Sequence, residues 1–304
     1  MNFDKAISEI TGKINDITNH PVFAVLKKSK KRYIGIAVNS TVIYLFVYLC
    51  ILLLYQTATV IASSTFNIHL IYFYNRIFFL TSGKASVWNR DSILTVFSSA
   101  PVVMAYFCAI CIVVFLTKFR EATRFKLFYV WGFSLILNRV ICVFAIGLVF
   151  TLWGSNLIVD WMYFDKSSKI IFCAFSIIAL LLIGKVSAKA FLYTAESPLL
   201  VKANEKKLAF IISQVFIPTI AGNFILFILL LPYINFLEIA VALSSVLMII
   251  PVFFNYRKFK VIEAISILGA DVKDKQYNIN KLNILILLGF YILYRIVFIK
   301  GIFI

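Results

Sequence analysis

Acidic side chains are scarce in this sequence: 13 Asp and Glu against 30 Lys and Arg in 304 residues, with only two histidines, His20 and His69. A proton relay needs several buried acids, and there are too few here to build one. No H-E-x-x-H occurs, which argues against the usual intramembrane zinc peptidase. No two aspartates share the apolar runs, which argues against an aspartyl protease in the membrane. G-x-S-x-G and a phosphate-cradling glycine loop are both missing. The five cysteines, Cys50, Cys108, Cys111, Cys142 and Cys173, all lie inside apolar runs, so no disulfide framework is expected. Cys108 and Cys111 form a C-x-x-C without a second thiol or histidine pair nearby, and read as small residues on one helix. No long polar stretch interrupts the chain, and no separate soluble domain is expected.

Apolar residues fill the space left. They make up 62% of the chain and charged residues only 14%, against about a quarter in soluble domains. A mean hydropathy of +0.97 calls for lipid as solvent. A spanning helix needs roughly 20 apolar residues. Seven runs qualify, near 33–63, 92–117, 126–152, 169–194, 207–231, 234–255 and 282–302. Pro101, Pro218 and Pro251 fall inside three of them and are expected to kink or locally break the second, fifth and sixth helices. The first run begins at Tyr33 with no small-residue cleavage pattern after it, so this helix is expected to be retained.

The placement of positive charge orients the runs. Lys and Arg counts in successive connections, starting with residues 1–32, are 7, 3, 4, 2, 5, 0 and 6. Charge alternates at every crossing, as the positive-inside rule requires, which puts the N-terminus in and the C-terminus out. The net charge of +17 then reflects topology and attraction to anionic lipid rather than nucleic-acid binding. The fold expected is an all-α polytopic membrane bundle of seven helices with amphipathic interfacial helices. Its parts are a cytoplasmic segment 1–32 and a transmembrane domain 33–304. Abundant Ile, Phe, Asn and Lys suit a bacterial inner membrane.

Smaller features refine this outline. Trp88, Trp153, Trp161, Tyr163 and Tyr233 fall at the outer ends of the runs, where amphipathic rings favour the interface. The stretch Phe66 to Leu80 is too short to span and reads as an interfacial or re-entrant segment, with 154–168 a second, smaller one. Phe3, Ile7, Ile10, Ile14 and Ile17 form one helical stripe suited to the inner leaflet. Phe259, Ile262, Ile265 and Leu268 form another.

Polar residues inside the runs are the candidate sites. Arg139, preceded by Asn138, lies 13 residues after Lys126, roughly 20 Å from the inner end and about 10 Å from the outer. Glu238 lies roughly 7 Å in from the outer end of the sixth helix. The depths match, so the two are expected to pair, or to share an outward pocket for an anionic ligand. Asn39 on helix one and Gln214, Thr219 and Asn223 on helix five are candidates to line a path, or to serve as interhelical hydrogen-bond glue. No residue set points to a metal or cofactor.

Glu263-Ala264 followed by Leu268-Gly269-Ala270 resembles the cytoplasmic "EAA" loop of ABC importer permeases. The resemblance implies that residues 257–272 form a coupling helix for an ATPase subunit, with Glu263 and Gly269 as its partner-contact positions. It covers eight residues. Ile265 stands where the motif has a second small residue, and one spanning run follows the loop where that family has more. The leading expectation is instead a non-catalytic subunit of a larger membrane assembly, in protein export or envelope biogenesis, surrounded by other membrane subunits. A permease and a membrane enzyme with an outward pocket near Arg139, Glu238 and His69 are the alternatives.

Overall fold

The computed structural model describes Val25 and residues 29–81, 86–117, 125–150, 154–195, 197–232, 235–259 and 279–304. Among them, seven helices are long and apolar enough to cross a membrane. The chain is a helical bundle and a multi-pass membrane protein.

Helix α1 (Lys30–Ser64) is the bundle's centre. Its 35 residues run unbroken, so the rod is roughly 50 Å long and exceeds a 30 Å hydrocarbon core. It is apolar on every side, as a helix surrounded by others must be. More than half of it is buried against α2 (Arg90–Thr117), α3 (Lys126–Val149), the fifth span and the last. A short helix, α4 (Ser155–Trp161), leans on α2 and α3 where the smaller interfacial piece was expected. Helix α5 (Lys166–Leu192) follows. Its N-cap is Asp165, whose carboxylate accepts from the Ser168 amide and hydroxyl. Those bonds hold the Asp165 carboxyl below its ordinary range.

The fifth span joins α6 (Asn204–Ile211), a π turn over Ile212–Phe216 and α7 (Ile217–Leu230). Pro218 lacks the N–H that would take the carbonyl four residues earlier. That carbonyl, on Gln214, accepts instead from the Ser40 hydroxyl at 2.6 Å. Trp131 Nε1 in turn donates to Ser40 at 3.1 Å. Helices α2 and α8 (Phe236–Asn255) continue through Pro101 and Pro251 without breaking. The last span is α9 (Lys281–Phe298), most of whose apolar side chains face outward.

Two glycines set helix spacings. A Cβ on Gly222 would meet the Tyr44 ring at 2.4 Å, and one on Gly184 would meet the Met248 carbonyl oxygen at 1.9 Å. The backbones of α7 and α5 therefore approach α1 and α8 as only glycine permits. Trp131, Tyr44 and Phe191 are fully buried at the core, with Trp131 edge-on to both rings at 4.9 and 4.7 Å.

The stretch expected as interfacial is a β-hairpin, which corrects the purely helical reading. Strands β1 (Leu70–Phe73) and β2 (Arg76–Phe79) pair antiparallel across the two-residue turn Tyr74-Asn75. Strand β3 (Ile302–Phe303) adds to the other side of β1, giving the order β2-β1-β3. Ile68, Leu70, Tyr72 and Tyr74 alternate onto the buried face, the period of a half-buried strand. Pairing satisfies backbone groups that lipid would leave without partners. The chain's last residues thus lie at the end of the bundle where α1, α3 and α7 finish, the sheet end. At the opposite end, the Asn280 amide donates to Asn39 Oδ1 at 2.8 Å, which ties the starts of α1 and α9 together.

Candidate functional site

The sheet end holds the buried charges. Arg139, 2% exposed, projects from the second half of α3, and Glu238, 3% exposed, from the first turn of α8. They meet in a two-pronged bridge: Nη1 donates to Oε2 at 3.0 Å and Nη2 to Oε1 at 2.5 Å. The planar guanidinium fork matches the carboxylate in this geometry. Tyr48 on α1 donates its hydroxyl to Oε2 at 2.5 Å. The Tyr55 ring lies 4.9 Å from the guanidinium carbon, within cation–π range. Three spans are fastened at one point, and both carboxylate oxygens are occupied.

Tyr48 and Tyr55 were not singled out by sequence reasoning. Their seven-residue spacing, with Tyr44 four residues before, marks one face of α1 and was the available signal. Asn138 points to α8 as well, donating Nδ2 to the Val241 carbonyl at 3.0 Å.

Beside the pair lies a recess of about 370 Å³ that reaches the surface at the sheet end. Its walls come from six directions: Gln56 and Thr59 of α1, Arg76 of the hairpin, Phe97 of α2, Phe144 of α3, Ile158 of α4 and Ser176 of α5, with Glu238 of α8 and Arg139 at the base. Helix α4 lines it because it lies across the gap between α2 and α3. His69 does not line the recess; its ring stacks at 6.3 Å on Phe303.

The other sequence candidates are elsewhere. Asn223 sits between three helices: Tyr44 donates to its Oδ1 at 2.5 Å, and its Nδ2 donates to the Ala242 carbonyl and Ser245 Oγ. Thr219 donates to the Val215 carbonyl within its own span. The Gln214 side chain donates to Thr194 at 3.3 Å, and Asn39 caps α9. None of the four lines the recess. Glu263 and Gly269, with most of the segment 257–272, lie outside the described residues, as do residues 1–24 and Trp153 and Tyr233. Trp161 and Tyr163 are exposed at the sheet end, whereas Trp88 is buried in a ring cluster with Phe79 and Phe97. The sulfur of Cys111 packs against Gly132, and among the described residues no group of three metal-ligating side chains occurs.

Comparison with protein-family models, with curated proteins and with solved structures found no match.

Proposed function

We propose that this protein is a non-catalytic membrane subunit whose contribution is a ligand-binding recess at the sheet end. One observation carries the reading: a recess of about 370 Å³, within the size range of small-molecule pockets, is assembled from side chains of five spans, the short helix α4 and the hairpin around the bundle's buried ion pair. A recess built from so many separate elements is preformed by the fold rather than by one mobile loop. The chemistry of its acid supports binding over turnover. Glu238 gives one oxygen to Arg139 and the other to Arg139 and Tyr48 together, which leaves it poorly placed to act as a general base.

The orientation belongs to the same reading. The alternating Lys and Arg counts put the N-terminal segment and the start of α9 in the cytoplasm and the sheet end outside, in a bacterial inner membrane with anionic lipid and other membrane subunits around it. Reporter fusions after Lys206 and after Ile304 test it: an inside and an outside signal are expected, and the reverse refutes it.

The binding test is native mass spectrometry of full-length protein released from lipid nanodiscs. The wild type is expected to retain one small molecule that Val143→Trp, which projects an indole into the recess, fails to retain. Equal occupancy in both, with both folded, refutes the reading.

A permease is the second reading, favoured by the π turn beside Pro218. That turn interrupts a spanning helix whose freed Gln214 carbonyl is held by Ser40 of α1. Crosslinks between Ser40→Cys and Gln214→Cys that abolish uptake of a substrate would support it.

A further inference from the structure

Resting on the binding reading above, the backbone of the hairpin narrows what the recess takes. In an antiparallel pair, successive residues turn their N–H and C=O alternately toward the partner strand and away from it. The Leu80 N–H donates to the His69 carbonyl at 3.0 Å, and the register sets Phe78 opposite Ile71 and Ile77 opposite Tyr72. The alternation then turns the backbone groups of Phe78 toward β1 and those of Ile77 and Phe79 away from it. The other side of β1 agrees: Leu70 exchanges both its bonds with Ile304, at 3.0 Å each, so Leu70 and Tyr72 face β3. Strand β2 is an edge of the three-stranded sheet, and among the described residues no strand pairs with its outer side. There the Ile77 N–H and C=O have no hydrogen-bond partner.

That edge borders the recess. Asn75, Arg76, Ile77 and Phe79 line it and no residue of β1 does, although Leu70 and Tyr72 share a sheet face with Phe79 and Ile77. The cavity therefore lies on the outer side of β2 and not beneath the sheet. An open edge is a template for another strand. The side chains around it suit a ligand that both gives and takes hydrogen bonds. The buried Nε–H of Arg139 has no acceptor in the described protein. The Thr59 and Ser176 hydroxyls donate within their own helices, to the Tyr55 and Phe172 carbonyls, and keep their lone pairs to accept. A polypeptide backbone supplies one donor and one acceptor at each residue. We infer that the recess binds an extended segment of another polypeptide, which adds to the outer side of β2 and exchanges two hydrogen bonds with Ile77. Strand addition of this kind draws its affinity from the main chain and its specificity from side-chain pockets. The four residues of β2 span about 13 Å, and a recess of about 370 Å³ admits a short strand and not a folded domain.

The test uses full-length protein in nanodiscs and a pooled library of acetylated, amidated hexapeptides, with retention read by affinity-selection mass spectrometry. Wild type is expected to retain a subset of the library. Ile77→Ala, which keeps the N–H, should retain it too, whereas Ile77→Pro, which deletes an N–H that the hairpin does not use, should weaken retention about tenfold. Retained peptides remade with N-methyl groups on alternate residues are expected to weaken by a similar factor in one phase of the alternation and not in the other. In hydrogen–deuterium exchange a retained peptide should slow the Ile77 amide about tenfold or more and leave the Phe78 amide, already bonded to β1, unchanged. A peptide that binds without slowing Ile77, or that tolerates N-methylation in both phases, overturns the inference. So does an Ile77 amide already slow without peptide, since the edge is then covered by the chain itself or by a second copy. Wild type that keeps a small molecule lost in Val143→Trp but retains no peptide refutes the peptide class alone; if it retains neither, the binding reading fails as well.

Discussion

Replacing Glu238 by leucine leaves Arg139 as a cation 2% exposed, with no carboxylate to face and its Nε–H already unmet. The Tyr48 hydroxyl loses its acceptor in the same step. Removing one partner of a buried pair costs about 3–5 kcal/mol, most of it the penalty of the orphaned charge. The Tyr55 ring at 4.9 Å contacts the guanidinium before and after the change and so offsets none of it, and a loss of about 3–5 kcal/mol is expected. The double variant Arg139→Met/Glu238→Leu removes both charges and keeps the volume. Buried pairs replaced in this way are often neutral, and the double variant is expected to recover most of the loss, short of the unpaired Tyr48 hydroxyl. The assay is the folded fraction after heating in mild detergent, read by fluorescence-detected gel filtration, completed as a double-mutant cycle. A double variant as unstable as Glu238→Leu would refute the reasoning, because the loss would then come from packing at position 238 rather than from the stranded cation. A harmless single variant would refute it too.

Other perturbations discriminate local features. Gly222→Ala is expected to lower thermal stability by about 1–3 kcal/mol, because its Cβ would stand 2.4 Å from a Tyr44 ring held by Asn223 and Trp131; Gly289→Ala, with nothing within 4 Å, is expected to be neutral or mildly stabilising in the same melt. Ser40→Ala strands the Gln214 carbonyl and is expected to cost about 1–3 kcal/mol, whereas adding Pro218→Ala restores an N–H to that span and should recover part of it; additivity of the two would count against the pairing. Removing residues 302–304 deletes β3 and is expected to raise amide exchange at Leu70, whose N–H donates to the Ile304 carbonyl at 3.0 Å, without altering exchange in α3, as read by hydrogen–deuterium exchange. The Asp165 cap has a carboxyl held below its ordinary range, so its contribution is present at neutral pH and is lost as the pH falls through that lowered value; Asp165→Asn should remove the acid sensitivity of amide protection at the start of α5 and leave behaviour above pH 6 unchanged.

The helical part of this fold was legible because lipid imposes a length and a composition on each span, and the seven runs near 33–63 to 282–302 match the seven helices to within a few residues. The meeting of Arg139 and Glu238 was legible for a related reason: depth along a helix follows from 1.5 Å per residue, and two rare charges at one depth have few other places to go. The hairpin was not read as one. Strands of four residues carry little periodicity, and the third strand comes from more than 220 residues later, a pairing that no local signal encodes. Tyr48 and Tyr55 were hidden among the apolar residues of α1, since a tyrosine there reads as core until its partner is known. Asn39, Gln214, Thr219 and Asn223 read equally as a path or as interhelical glue, because sequence gives no side-chain partners. In the structure they are spread along the bundle, and each is consumed by a hydrogen bond within or between helices. Pro101 and Pro251 left their helices unbroken, because a span packed among others tolerates a missing bond.

The most direct measurement is a cryo-electron microscopy map of the full-length protein in lipid nanodiscs. The binding account expects density that does not belong to the chain in the recess beside Arg139, with the Arg139–Glu238 bridge intact. A recess closed by its own side chains, or filled only by ordered water, would contradict it.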